Sequence, residues 1–166
     1  MKISTDAVLL GSVSHAKNPI NILDIGTGTG VIALMLAQRF PDARITAVEV
    51  DQEAAEQAKE NFRESPFADR IALHFGRIQD FTEENRFDLV VSNPPFFPDH
   101  LKSPDPQRNR ALHTDELSFS DLVDKVSSLL ADQGVFWVIL PPRQLLDLIS
   151  LAAKTGLCLL YTSPSP

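Results

Sequence analysis

The stretch Asn21-Ile22-Leu23-Asp24-Ile25-Gly26-Thr27-Gly28-Thr29-Gly30, running on into Val31-Ile32-Ala33-Leu34-Met35-Leu36-Ala37, decides the fold. Its first five residues form a short apolar run that reads as a buried strand. The glycines that follow let the backbone turn sharply and let a ligand come close, because no Cβ stands in the way. Val31 to Phe40 then reads as a helix, with Val31, Leu34 and Met35 marking one apolar side, and Pro41-Asp42 breaks it. A strand, a glycine turn and a helix in this order open an α/β unit.

Strand-like and helix-like segments keep alternating beyond it. Ile45–Val50 predicts a second strand, and Gln52–Glu64 a helix with Ala55, Ala58 and Phe62 on one stripe and Asp51 as N-cap. Ile71–Phe75 and Phe87–Ser92 predict strands three and four. A polar, proline-containing stretch from Pro98 to Glu116 follows. Phe119–Leu130 predicts a helix with Leu122, Val123, Val126 and Leu130 inward and Ser118 or Ser120 as its cap. Val135–Leu140 predicts strand five, Gln144–Lys154 a last helix stopped at Gly156, and Leu157–Tyr161 the start of strand six. The expectation is an α/β, doubly wound, mostly parallel sheet, whose ligands bind outside the carboxyl ends of the strands.

A chain of 166 residues with 43% hydrophobic content suits one domain with a sizeable core. The net charge of -7 argues against a surface coated in basic charge for non-specific nucleic-acid binding, though not against a local basic patch. The single cysteine, Cys158, offers neither a disulfide framework nor a metal cluster and fits a reducing, cytoplasmic setting. His15, His74, His100 and His113 lack metal-ligand spacing, so no metal is expected. Met1 to Asp6 has no signal-peptide character, and no apolar run is long enough to span a bilayer.

The chemically suggestive residues fall at strand ends. The glycine spacing is G-x-G-x-G, not the G-x-G-x-x-G of dinucleotide binders, and it lacks the lysine of a phosphate-binding P-loop. Asp24, at the end of strand one, would repel a pyrophosphate but attract an ammonium. A cofactor with a cationic amino-acid part is therefore expected. Glu49, near the end of strand two, can accept hydrogen bonds from a ribose diol. Asp80, in Gln79-Asp80-Phe81 after strand three, marks a loop where an adenine could lodge, or is a plain solvated acid. Strand four ends in Asn93-Pro94-Pro95-Phe96. Two prolines cannot continue a sheet ladder, so this is a rigid turn carrying an amide and an aromatic ring. The alternative is an Asx-type turn beside a core Phe.

This combination resembles the class I S-adenosylmethionine-dependent methyltransferases. Asp24 to Gly30 is similar to that family's glycine-rich cofactor motif, Glu49 to its ribose-binding acid, and Asn93-Pro94-Pro95-Phe96 to the [DNS]-P-P-[FYW] motif of its amino-methylating branch. Met1-Lys2-Ile3-Ser4-Thr5-Asp6-Ala7-Val8-Leu9-Leu10-Gly11, and the loop from Lys102 through Arg108 to Phe119, look closer still to bacterial tRNA-valine (adenine-N6) methyltransferases. The resemblance implies a Rossmann-like fold and S-adenosylmethionine as cofactor, held by Thr5, Asp24, Gly26, Thr27, Gly28, Gly30, Glu49, Asp80 and Asn93. It implies catalysis by Asn93, Pro94, Pro95 and Phe96, and transfer to adenine N6 in tRNA. Guanine-N2 rRNA methylation, glutamine-N5 protein methylation and a cofactor-binding fragment without activity are the alternatives. Lys102, Arg108, Arg110 and His113 would meet RNA phosphates. The family's flanking elements are not matched at either end. The expected domain is 1–161, truncated at both ends, with 162–166 as a tail or linker.

Overall fold

The computed structural model describes residues 4–94 and 117–158. Helix α1 (Thr5–Val13) precedes β1 (Asn21–Ile25), α2 (Val31–Arg39), β2 (Arg44–Glu49), α3 (Gln52–Glu64), β3 (Ile71–Phe75) and β4 (Phe87–Ser92). Then come α4 (Phe119–Leu129), β5 (Leu130–Val138), α5 (Pro142–Ala152) and a 3-10 turn, Ala153–Thr155. The strands form one sheet in the order β3-β2-β1-β4-β5, with every pair parallel. The order reverses direction between β1 and β4, the switch point at which doubly wound sheets open a crevice.

Side chains alternate across the sheet and feed two cores. Ile22, Ile45, Ala47, Leu89 and Val91 face α1, α2 and α3, where they meet Leu10, Ile32, Ala33, Leu36, Ala58 and Phe62. Leu23, Ile25, Val48 and Val90 point the other way and pack on Leu122, Val123, Val126 and Leu148 of α4 and α5. Residues buried on both faces in this way explain why β1 and β4 read as continuous apolar runs.

Two expectations need correction, and one element was not expected. Helix α1 has no apolar stripe to announce it, because the apolar residues of TDAVLLGSV are spread around the helix; Ser4 starts it by accepting a hydrogen bond from the Ala7 N–H at 3.1 Å. The buried face of α2 is Ile32, Ala33, Leu36 and Ala37, not Val31, Leu34 and Met35. α1 is the reason for this error: it covers the other flank of α2, and Gly11 lies so close to Met35 that an added Cβ would stand 2.7 Å from the sulfur. Strand β5 begins at Leu130, which was expected in the helix, because Leu130 pairs with Phe87 before a register shift brings Val135 opposite Leu89. Leu129 takes the inward helical position instead.

Other expectations hold. α3 runs from Gln52 to Glu64 with Asp51 as its cap, Ser118 caps α4, and Gly156 ends the last helical segment at φ 83°. Strand six falls almost entirely outside the described residues.

Candidate active site

The carboxyl ends of β1 and β4 leave the sheet side by side, since Ile25 is the register partner of Ser92. The Ser92 hydroxyl donates to the Ile25 carbonyl at 3.0 Å and ties the two ends together. From this seam the chain departs in two ways: into Gly26–Gly30 after β1, and into Asn93-Pro94 after β4.

The glycine loop is bent by conformations that other residues avoid. Gly26, Gly28 and Gly30 have φ of 70°, 59° and 88°. Protein hydrogen bonds then hold it. The N–H groups of Gly26 and Thr27 both donate to the Val48 carbonyl at 2.9 and 3.1 Å, and the Gly30 N–H donates to the Thr27 carbonyl at 3.0 Å. Above Gly26 the space is open, with nothing within 4 Å of where a Cβ would stand.

Glu49, at the end of β2, is 7% exposed. Its Oε2 accepts from the Gly28 N–H at 2.7 Å, and its Oε1 accepts from the Val50 and Asp51 N–H groups, both at 2.9 Å. A carboxylate has about four acceptor positions, so about one stays open to an incoming hydroxyl.

Asp24 is fully buried at the end of β1. Thr27 donates its hydroxyl to Oδ2 at 2.6 Å, so Thr27 holds the carboxylate rather than facing open space. Oδ1 is buried and has no hydrogen-bond partner. Burial pushes the Asp24 carboxyl up to about 7; the Thr27 hydroxyl and the nearby Ala33 N–H oppose the rise, and the charge of Glu49 adds a little to it. An unsatisfied, buried carboxylate oxygen beside an open glycine turn suits an ammonium group or its bound water. The Asp24 acceptor therefore fits the ammonium of S-adenosylmethionine, and the Glu49 carboxylate fits its ribose hydroxyls.

The structure does not bring every expected residue to this seam. Asp80 is exposed in the turn after β3, where its carboxylate lies 3.5 Å from Arg77. Thr5 is exposed in the first turn of α1, a helix that packs on α2. Asn93 is half-buried and Pro94 buried, directly after β4. Pro95, Phe96, Lys102, Arg108, Arg110 and His113 lie outside the described residues. Among the described residues no group of His, Cys, Asp and Glu could hold a metal ion, and no helix is long and apolar enough to cross a membrane.

Two supports escaped the sequence reading. Ser92 was taken only as a strand residue, and Asn61 not at all, yet Asn61 reaches the Thr29 carbonyl at 2.8 Å. Neither has a local signal, because each bond joins residues distant along the chain.

The family model of the methyltransferase small domain matches residues 4–147. The chain is 47% identical over 157 residues to a protein of Pedobacter heparinus named tRNA1(Val) (adenine(37)-N6)-methyltransferase, covering 95% of this chain and 67% of that one. It is 49% identical over 157 residues to a protein of the same name from Phocaeicola vulgatus, again at 95% and 67%. The chain thus spans about two thirds of the length of these relatives. Solved structures share the fold: precorrin-6y C5,15-methyltransferase from Geobacter metallireducens (TM-score 0.64, 15% identity, 94% of this chain and 73% of that one) and a putative RNA methyltransferase from Pyrococcus horikoshii (TM-score 0.59, 22% identity, 90% and 64%). The chain belongs to the methyltransferase small domain family and has the Rossmann-like fold of S-adenosylmethionine-dependent methyltransferases.

Proposed function

We propose that this chain transfers a methyl group from S-adenosylmethionine to the exocyclic N6 amine of an adenine in tRNA. The observation that carries this reading is the seam at the switch point. There a tightly bent glycine loop with a buried, half-satisfied carboxylate lies beside a turn that begins Asn93-Pro94. The names of the relatives, at 43–49% identity, support tRNA as substrate and N6 as target.

The chemistry follows from what each residue can donate or accept. Bound S-adenosylmethionine would supply an electrophilic methyl group on a good leaving group. Asp24 Oδ1 would take the ammonium, Glu49 a ribose hydroxyl, and Gly26, Gly28 and Gly30 would admit the ligand close to the backbone. Thr27 would act through Asp24. Thr5, Asp80 and Asn93 complete the proposed cofactor set by resemblance. An adenine amine is a weak nucleophile because its lone pair is spread into the ring. The Asn93 side-chain oxygen and the Pro94 carbonyl would each accept one N–H, favouring a tetrahedral nitrogen that faces the methyl group. Pro95 would keep the turn rigid, and Phe96 would stack on the base. Positioning then supplies most of the rate, with no general base of shifted pKa. The base must be reached outside a stack, in a loop or flipped.

On this reading residues 1–161 are the methyltransferase domain, 162–166 lie beyond it, and the protein works in the cytoplasm. Lys102, Arg108, Arg110 and His113 would line the RNA path. Incubation with methyl-labelled cofactor and unmodified tRNA, followed by nucleoside analysis, tests the reading. Label in N6-methyladenosine is the expected result. Label on guanine or on a protein glutamine, or cofactor binding with no transfer to any RNA, would reject it.

A further inference from the structure

Glycines permit the bend of the Gly26–Gly30 loop but do not enforce it, since a glycine reaches many other conformations at little cost. Enforcement at the helix end of the loop comes from α3. Asn61, in the last turn of α3, donates from Nδ2 to the Thr29 carbonyl at 2.8 Å across 32 residues of chain. Its Oδ1 accepts from Gln57 Nε2 at 3.1 Å, one turn earlier on the same helix. The two ends of the amide thus have different partners. A flipped amide would set oxygen against oxygen at Thr29 and nitrogen against nitrogen at Gln57.

The peptide unit between Thr29 and Gly30 is pinned at both poles. Its carbonyl is held by Asn61, and its N–H donates to the Thr27 carbonyl at 3.0 Å. The next residue of α3, Phe62, forms a wall beneath it: a Cβ on Gly30 would stand 2.3 Å from the ring. Phe62 is itself buried in the core with Ala33 and Leu36, so the wall does not yield. Asn61 and Phe62 therefore clamp one peptide plane between a hydrogen bond and a ring.

We infer that Asn61 is a positioning residue for cofactor binding, acting through the Thr29 carbonyl to hold the glycine loop in its ligand-accepting shape. The inference rests on the proposed methyltransferase reading. Asn61 touches no reacting atom in this scheme, so its loss weakens cofactor capture and spares the chemical step.

The test is steady-state kinetics with S-adenosylmethionine and tRNA, combined with calorimetry of cofactor binding and thermal melting. Asn61→Ala, a good helix former at a half-buried site, should raise the cofactor KM and Kd about five- to tenfold, the worth of one neutral hydrogen bond. The kcat and the tRNA KM should stay within about twofold. Asn61→Asp, which turns the donor into an acceptor facing a carbonyl, should be at least as impaired in cofactor binding. Gln57→Ala, which only frees the amide to turn, should show a smaller rise in the same constant. Wild-type cofactor binding in both Asn61 variants would overturn the inference. So would a lowered melting temperature and kcat with the cofactor KM unchanged, the pattern of a merely structural residue. A wild-type chain that does not bind the cofactor overturns the methyltransferase reading together with this inference, whereas failure in the variants alone overturns only the inference.

Discussion

The two chain segments that leave the seam are opposites. After β1 the exit is built from glycines, adopts positive φ, and is held by its own N–H groups and by Glu49. After β4 the exit is built from Pro94 and Pro95, which have no N–H to give and a φ fixed by their rings. The first exit spends its N–H groups on protein acceptors and is stiffened by those hydrogen bonds. The second has no proline N–H to spend and is stiffened by covalent structure. What the first leaves beside the open space over Gly26 is an acceptor, the unpartnered Asp24 Oδ1. The lesson is that neighbouring strands of one sheet edge can be followed by turns stiffened in two unlike ways merely by ending in different residues.

Substitutions at one exit should therefore leave the other intact. The largest effect is expected for Asn93→Ala: kcat should fall about 10²–10³-fold, as when one positioned polar partner of a reacting group is lost. Cofactor affinity, measured by calorimetry, should fall much less than kcat, because in this scheme Asn93 meets the reacting amine as well as completing the cofactor set. A parallel loss of cofactor affinity would blur the contrast. Gly30→Ala strikes the other exit. With φ at 88° and the Phe62 ring in the way, it should destabilise the fold by about 3 kcal/mol in denaturant unfolding, with cofactor binding lost.

A smaller effect is expected from pH. An ammonium ligand needs Asp24 ionised, so cofactor affinity should rise through about pH 7 and level off above it. Stability should run the other way. The folded state keeps the Asp24 proton up to about 7, whereas the unfolded chain releases it near 3.8. Between these values the unfolded state binds fewer protons, so this carboxyl makes stability fall as pH rises, with no further change above about 7. Asp24→Asn should flatten both trends, measured by calorimetry and by melting across the pH range. The smallest effect is expected at the RNA: Arg108→Ala with Arg110→Ala should weaken tRNA binding several-fold and lower its salt dependence. An unchanged salt titration would remove those residues from the RNA path.

How much of this could be read from the sequence depends on how local each signal is. β1, β3, β4 and α3 carry their limits in their own residues: an apolar run closed by glycine or proline, or a stripe opened by Asp51. α1 was invisible because its apolar residues are spread around the helix without a period, and that omission misassigned the face of α2. Leu130 was misplaced because pairing with Phe87, not helix propensity, decides its state. At the site, the glycines, Asp24, Glu49 and Asn93 stood out by residue type and by position at strand ends. The bonds that organise them did not, because Glu49 meets Gly28 and Asn61 meets Thr29 only once the strands are in register.

Helix α4 starts from its own cap: the Ser118 hydroxyl accepts from the Asp121 N–H at 3.0 Å, so this start is specified by neighbours in sequence. The connection that joins Pro94 to α4 therefore need not set where the helix begins. The start of α4 is thus written within the helix and its cap, and a change of residues before Leu117 would leave that start in place.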